Sequence, residues 1–344
     1  MNLTYKEIME QYRSMTQTKA YLDERISELS GCFDVKNYSS LIVLGCGSSY
    51  SLAKSFAQIA NMYTSLPSTA VPAGDVLLHA PRYSKCFEGA LVLAISRSGS
   101  TSEVLMALNA LKAEGCRFTI ASFTCRENSE LSKISDIQLV FPWAYDNSVC
   151  QTRTVSCLYY AFAYLIARIL HEVQLLAELD HVVATGEQFI QKIEPLMLET
   201  AKEPWSHVIV LGDAEICGIA EEGALAFKEI CQLPSNYYHL LDTRHGPMVL
   251  IQKDTLILAA LGPNNKLEQD FLRDMSQKTP YILAFSDKPA DISGVQFITY
   301  DYEIGHIAKG LPFILICQLL SYHKAIVRGT DPDAPTGLDA WISL

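Results

Sequence analysis

Four short apolar runs occur twice along this chain in the same order, and no other feature limits the fold as strongly. Leu41-Ile42-Val43-Leu44-Gly45 returns as Val208-Ile209-Val210-Leu211-Gly212, and Leu91-Val92-Leu93-Ala94 returns as Leu256-Ile257-Leu258-Ala259. Ile120 to Phe123 then matches Ile282 to Phe285, and Ile137 to Val140 matches Val295 to Ile298. Runs of this kind, with no polar alternation, read as strands buried on both faces. The gaps between them are long enough for crossover helices, so each half reads as an α/β unit built on a mainly parallel sheet. Ligands of such sheets bind at loops on the carboxyl ends of the strands.

The loops of the two halves differ. After Leu91 to Ala94 comes Ser96-Arg97-Ser98-Gly99-Ser100-Thr101, which leads into the helical pattern Val104 to Leu111. Its hydroxyls and backbone N–H groups gather at the positive end of that helix, where a phosphate can be held without a lysine. A serine-rich helix cap with no ligand would read the same way. After Leu41 to Leu44 comes Gly45-Cys46-Gly47-Ser48-Ser49, where glycine lets the backbone come close to a ligand; the third glycine of a dinucleotide fingerprint is missing, which disfavours such a cofactor. The second half has Asp213-Ala214-Glu215 and Gly262-Pro263-Asn264-Asn265 at these places, with far fewer groups for an anion. The phosphate is therefore expected in the first half. The second half offers a helix that carries Glu222 and Glu229 on one face, and the loop Thr243-Arg244-His245-Gly246-Pro247. A histidine on such a loop can move a proton near neutral pH.

Residues 3–30 read as one or two amphipathic helices, and 171–203 as a polar helical connector between the halves. A helix starting near Gln151 is apolar on nearly every side from Val155 to Leu170, which fits burial in a core or against a second subunit. The net charge of −11 over 344 residues argues against nucleic acid or an acidic membrane surface as partner. It also makes Arg97 and Arg153, beside the anion turns, read as charge compensation. The ten cysteines are scattered singly with no metal-ligand spacing, which fits reduced thiols in a cytosol; no metal or redox cofactor is expected. No apolar run approaches the ~20 residues of a membrane span, and the N-terminus has no apolar signal core, so a cytoplasmic location is expected. His239 and His306 read as core or surface histidines.

The turns GCGSSY and SRSGST resemble the phosphate-binding loops of the sugar isomerase (SIS) family, the second being a variant of that family's S-Q-S-G-E-T. EGALAFKE followed by RHGP is similar to the second half of the isomerase domain of glucosamine-6-phosphate synthase. This resemblance runs from about Gly31 onward and implies two tandem SIS subdomains of flavodoxin-like fold: 31–175 with the phosphate turns and 204–325 with the catalytic groups. Helices at 1–30, a connector at 176–203 and a tail at 326–344 complete the plan. The resemblance assigns the sugar phosphate to Gly47, Ser48, Ser49, Ser96, Arg97, Ser98 and Thr101, with Gln151 and Thr152 completing the sugar pocket. It assigns proton transfer to Glu229 and ring opening to His245, which in the family usually reaches in from a partner subunit, so a homodimer with shared sites is implied. The chain starts almost at the isomerase half, so glutamine-dependent amide transfer is not expected. Ala340 stands about where the synthase has a lysine that handles the open-chain carbonyl, and Ala226 replaces another lysine. A chain with the glutamate and histidine but without that lysine looks more like the deglycases, which cleave 6-phosphorylated sugar–amine adducts. An amino-sugar phosphate isomerase or deaminase is the alternative, and a non-catalytic phosphosugar sensor the third.

Overall fold

The computed structural model describes residues 2–262 and 266–339. The turn Pro263-Asn264-Asn265 and Ala340, both singled out by sequence, lie outside the described residues. The chain divides into two compact units, one made of Glu10–Asn147 with Gln151–Leu179, the other of Asp180–Leu338 with Ser148–Cys150 and the N-terminal residues through Met9. Helix α1 (Leu3–Met9) thus belongs to the second unit, where the Asp333 carboxylate accepts the Leu3 and Thr4 N–H groups at 2.8 Å each.

In the first unit α2 (Gln11–Cys32) precedes β1 (Leu41–Gly45), α3 (Ser48–Tyr63), β2 (Ser68–Pro72), α4 (Ala73–Phe87), β3 (Leu91–Ser96) and α5 (Ser102–Ala113). Then come β4 (Thr119–Thr124), α6 (Glu130–Lys133), β5 (Ile137–Val140) and α7 (Arg153–Leu170). The sheet order is β2-β1-β3-β4-β5 and every pairing is parallel. Side chains alternate between faces along a strand. Ile42, Leu44, Val92, Ala94 and Ile120 therefore pack with Val104, Leu108 and Leu111 of α5 and with Val76 and Phe87 of α4. On α3 and α7, Phe56 and Phe162 stack with ring centroids 4.2 Å apart, and Phe56 meets Phe123 of β4 edge-on at 6.2 Å. Helix α7 is buried against α2 and α3 of its own unit, so its apolar surface is core and gives no support to a second subunit.

Helix α8 (Val173–Lys202) leads into β6 (His207–Leu211), α9 (Cys217–Glu229), β7 (Ser235–Tyr238), β8 (Thr255–Ala260), α10 (Lys266–Ser276), β9 (Tyr281–Ser286), β10 (Gln296–Thr299) and α11 (His306–Arg328). The second sheet runs β10-β9-β8-β6-β7, again all parallel, which is the first sheet's order in the matching strands. Two tandem α/β subdomains of matching strand order are therefore present. Ile209, Leu211, Ile257 and Ala259 meet Phe271, Leu272 and Met275 of α10 on one face. On the other face α9 and α11 come so close that a side chain on Gly223 would lie 2.7 Å from Cys317 Sγ.

Strands β2 and β7, which sequence did not reveal, are the edge strands STAVP and SNYY, partly exposed and so under no demand to be apolar throughout. The expectation that no apolar run approaches membrane-spanning length is corrected by α11, which among the described residues is long and apolar enough by composition. That composition is the consequence of packing on α9, β8 and α1, with 83% of the apolar window buried inside the unit.

Candidate functional site

The first sheet reverses its winding between β1 and β3, and a crevice at such a switch point is the default ligand site of an open parallel sheet. Both hydroxyl-rich turns stand there. After β1, Gly47 takes φ +52° and ψ −128°, a combination that only glycine adopts without strain, and it caps α3. Ser48 and Ser49 are buried just inside that helix. After β3, the buried Ser96 Oγ accepts the Gly99 N–H at 3.0 Å and lies 2.8 Å from Thr101 Oγ1. Ser98 Oγ accepts from the Ser100 N–H at 3.2 Å and from the Ser100 hydroxyl at 3.0 Å. Gly99 has φ +63°, and a Cβ on it would run into the Ser129 side chain at 2.2 Å, so the turn is fixed both by backbone and by its neighbour. Thr101 is the N-cap residue of α5 yet makes no side-chain cap bond. Hydroxyls thus gather at the start of a helix, with Glu103 the acidic residue of its first turn. Burial pushes the Cys46 thiol in the glycine turn up to about 11.

The Arg97 side chain is buried, with the guanidinium 5.7 Å from the centre of the Tyr145 ring. Behind the turns lies Asp146, 1% exposed, whose Oδ2 accepts the N–H groups of Thr152 at 2.8 Å and Thr154 at 2.9 Å. Arg153 Nε is 3.6 Å from Asp146 Oδ1, and Arg153 Nη1 donates to Glu10 at 3.1 Å. Burial pushes the Asp146 carboxyl up, against the pull of Arg153, of the two N–H groups and of Arg97. Asp146 therefore fixes the start of α7, and with it Gln151 and Thr152. Gln151 Oε1 is buried with no hydrogen-bond partner, which leaves an acceptor for a ligand donor at the place assigned to the sugar pocket. Sequence reasoning missed Asp146 and Tyr145; the only signal was an acidic residue in the turn ahead of a helix.

In the second unit Glu229 closes α9, while Glu222, two turns earlier, is buried beside α11. His245 ends the 3-10 turn Asp242–His245 and is exposed. Its flanks are pinned: Thr243 is buried and donates through N–H (3.1 Å) and Oγ1 (2.9 Å) to the His239 carbonyl, and Arg244 donates to Asp274 at 2.5 Å. The imidazole is thus displayed from a held turn. Lys324, the last lysine of the chain, donates to the carbonyls of Glu203 (2.7 Å) and Ala201 (3.2 Å) at the end of α8.

The switch point of the second sheet is filled by its own carboxylates. Asp213, after β6, accepts the Leu240 N–H at 3.2 Å and the His239 Nδ1–H at 2.9 Å, and the His306 Nε2–H donates to its carbonyl at 3.1 Å. Glu268, after β8, accepts the Gly262 N–H at 2.9 Å, and burial together with Asp213 pushes its carboxyl up. His239 and His306, read as isolated from sequence, are members of this cluster.

Residues 35–183 match the model of the SIS domain family. Over 338 residues the chain is 26% identical to an isomerizing glutamine–fructose-6-phosphate aminotransferase of Francisella tularensis, covering 92% of this chain and 53% of that enzyme. The chain thus spans about half the length of this relative. The fold matches tagatose-6-phosphate ketose/aldose isomerase of Escherichia coli with a TM-score of 0.83 at 19% identity, over 98% of this chain and 96% of that one. It also matches glucosamine-6-phosphate deaminase of Thermotoga maritima with a TM-score of 0.79 at 24% identity over the full length of both chains. The chain is thus similar to the SIS domain family over residues 35–183 and to the aminotransferase over most of its own length.

Proposed function

From that similarity and the hydroxyl cradle we propose that this protein is a deglycase, which cleaves a 6-phosphorylated sugar–amine adduct into hexose 6-phosphate and free amine. The observation that carries the reading is the division of polar groups: the first unit gathers hydroxyls at the start of a helix, while the second holds Glu229 and displays His245. The cradle holds the phosphate dianion by hydrogen bonds to hydroxyls and backbone N–H groups. His245 opens the sugar ring. Glu229 takes a proton from C1 of the ketosamine and returns it at C2, while the amine N–H proton passes to the oxygen on C2, which turns the adduct into the C1 imine. Water then adds its oxygen to C1, both its protons pass to the nitrogen with His245 as the relay, and the C–N bond breaks to leave the aldehyde and the free amine. The names of the relatives support enzyme chemistry on phosphosugars. The absence of a lysine matching the synthase's at Ala226, and the engagement of Lys324 with carbonyls, favour this reading over the synthase's own isomerisation.

The reaction belongs in the cytoplasm, where sugar 6-phosphates are made. A homodimer with shared sites is part of the proposal; Leu241, Val249 and Leu250 around His245 are exposed, Val249 to 72%, and a second copy of the chain would cover them. Incubation with 6-phosphorylated fructosyl and glucosyl amino acids tests the reading. Release of hexose 6-phosphate with free amine supports it. Aldose–ketose interconversion without amine release would replace it by an isomerase, and tight binding without turnover by a sensor.

A further inference from the structure

The loop that follows β4 is fastened at both ends to the turn after β3. Ser96 is in register with Thr124, the Cys125 N–H donates to the Arg97 carbonyl at 3.0 Å, and the Leu131 N–H donates to the Gly99 carbonyl at 2.9 Å. Ser129, between these anchors, packs so close to Gly99 that a Cβ there would lie 2.2 Å from its Oγ. Arg126 stands on this loop, one residue past the first anchor, and so about one strand spacing, ~5 Å, from the hydroxyl turn. Its exposed side chain is held in place: Nη2 donates to the Tyr145 hydroxyl at 2.9 Å, and the guanidinium lies 4.7 Å from the centre of that ring. Arg97, a residue of the turn itself, approaches the same ring at 5.7 Å, so the ring that holds Arg126 lies against the turn.

The hydroxyls of the turn offer a phosphate no positive charge. Ser96, Ser98 and Thr101 are neutral, and Glu103 in the first turn of α5 is acidic. The neighbouring arginines are engaged: Arg153 pairs with Asp146 and Glu10, and the charge of the buried Arg97 acts on Asp146. Among the described residues no carboxylate pairs with Arg126. We propose that Arg126 is a specificity-determining residue that supplies the missing charge, so that the site prefers a doubly charged ester to a singly charged one of the same shape. The proposal rests on the phosphate site of the reading above, and is independent of what the sugar carries at its other end. Hydroxyls and N–H groups accommodate any tetrahedral oxyanion and so select shape. A fixed guanidinium adds an attraction that grows with the charge of the ligand. In a protein of net charge −11, with Glu103 at the turn, that local attraction offsets repulsion which the hydroxyls cannot.

Glucose 6-phosphate and glucose 6-sulfate share a shape and differ in charge, roughly −2 against −1 at about pH 7.5. Calorimetry on the full chain should find the phosphate ester bound more tightly by wild type. Arg126→Gln should weaken it roughly ten-fold or more and the sulfate ester only about three-fold, because half the charge loses about half the attraction. Arg126→Lys keeps the charge and should recover much of the preference, and added salt should weaken phosphate binding less in the glutamine variant than in wild type. Equal fold losses on the two esters would mark a purely structural role for Arg126 and overturn the proposal. So would a glutamine variant that binds glucose 6-phosphate as wild type does, or a lysine variant no better than the glutamine one. A wild type that binds neither ester would overturn the phosphate site and this inference with it. One that binds glucose 6-phosphate yet releases no amine from 6-phosphorylated fructosyl amino acids would overturn the deglycase reading alone.

Discussion

Replacing Asp146 separates a hydrogen-bonding role from a charge role, because both backbone donors go to one oxygen. Thr152 N–H and Thr154 N–H reach Oδ2 at 2.8 and 2.9 Å, whereas Arg153 Nε faces Oδ1 at 3.6 Å. Asp146→Asn can keep both bonds through its carbonyl oxygen and sets an amide NH2 against the guanidinium. Asp146→Ala removes everything at a position 1% exposed. Two buried N–H groups left without an acceptor cost about 1–3 kcal/mol each, and breaking a buried ion pair costs about 3–5 kcal/mol. These losses overlap, and Glu10 still pairs with Arg153 in both variants; the alanine variant, which also loses both acceptors, should be destabilised by about 3–5 kcal/mol and the asparagine variant by about 1–3 kcal/mol less. Hydrogen exchange reads the local event directly: the Thr152 and Thr154 amides should lose protection in the alanine variant and keep most of it in the asparagine variant. Affinity for hexose 6-phosphate should follow the same order, since Gln151 and Thr152 sit on the segment that Asp146 holds. Equal protection of the two amides in both variants would refute the assignment of Asp146 as the anchor of this loop.

Ser98→Ala should weaken hexose 6-phosphate binding by about 1.5–3 kcal/mol, the worth of a hydrogen bond to a charged group; unchanged affinity in calorimetry would remove Ser98 from the cradle. Glu229→Gln should lower turnover on a confirmed substrate by at least ~100-fold with little change in affinity, and His245→Ala should do likewise with less effect on open-chain substrate; near-normal turnover of the glutamine variant would sink the proton-transfer scheme. Phe56→Ala should cost about 3–5 kcal/mol of stability in denaturant titration, because the ring is fully buried between Phe162 and Phe123. Burial holds the His323 imidazole below its usual range, against the pull of Glu194. The unfolded chain then takes up the proton first, so this contribution is present above pH ~6.5 and is lost as pH falls through the depressed folded value. The stability advantage of wild type over His323→Gln should shrink between pH 7.5 and 5.5, and an advantage that grows would refute the sign.

What sequence revealed and what it hid follow from how each feature is enforced. The six inner strands were legible because a strand covered on both faces has no polar position, so Leu91 to Ala94 or Leu256 to Ala259 can be little else, and the edge strands β5 and β10 kept enough apolar residues to be read with them. STAVP and SNYY escaped notice since an edge strand needs apolar residues on only part of its surface. The cradle was legible through hydroxyl density, and Gly47 and Gly99 do hold the positive φ their turns require. Asp146 was not, since its partners are backbone N–H groups that leave no mark in residue type. Likewise His239 pairs with Asp213 only because β6 and β7 lie side by side, and no local spacing could announce that pair. The apolar α7 left core and interface equally open until its neighbours α2 and α3 were known.

The two sheets share an order of strands, and among the described residues their switch points differ in which groups answer the backbone donors. In the first unit Ser96 Oγ answers the Gly99 N–H with a neutral hydroxyl that can still bond elsewhere. In the second, Asp213 and Glu268 answer the Leu240 and Gly262 N–H groups with carboxylates. A carboxylate there both uses up the donor and repels an incoming phosphate, at the very end of the helices where the dipole would otherwise attract one. Buried Lys309 does not reverse this, because its amine is held by Asp287 at 2.6 Å. On the proposed reading, one phosphate site needs no change of fold in the second unit: acidic residues at two strand ends disfavour an anion there, and α9 and the turn ending in His245 are left for the proposed proton chemistry.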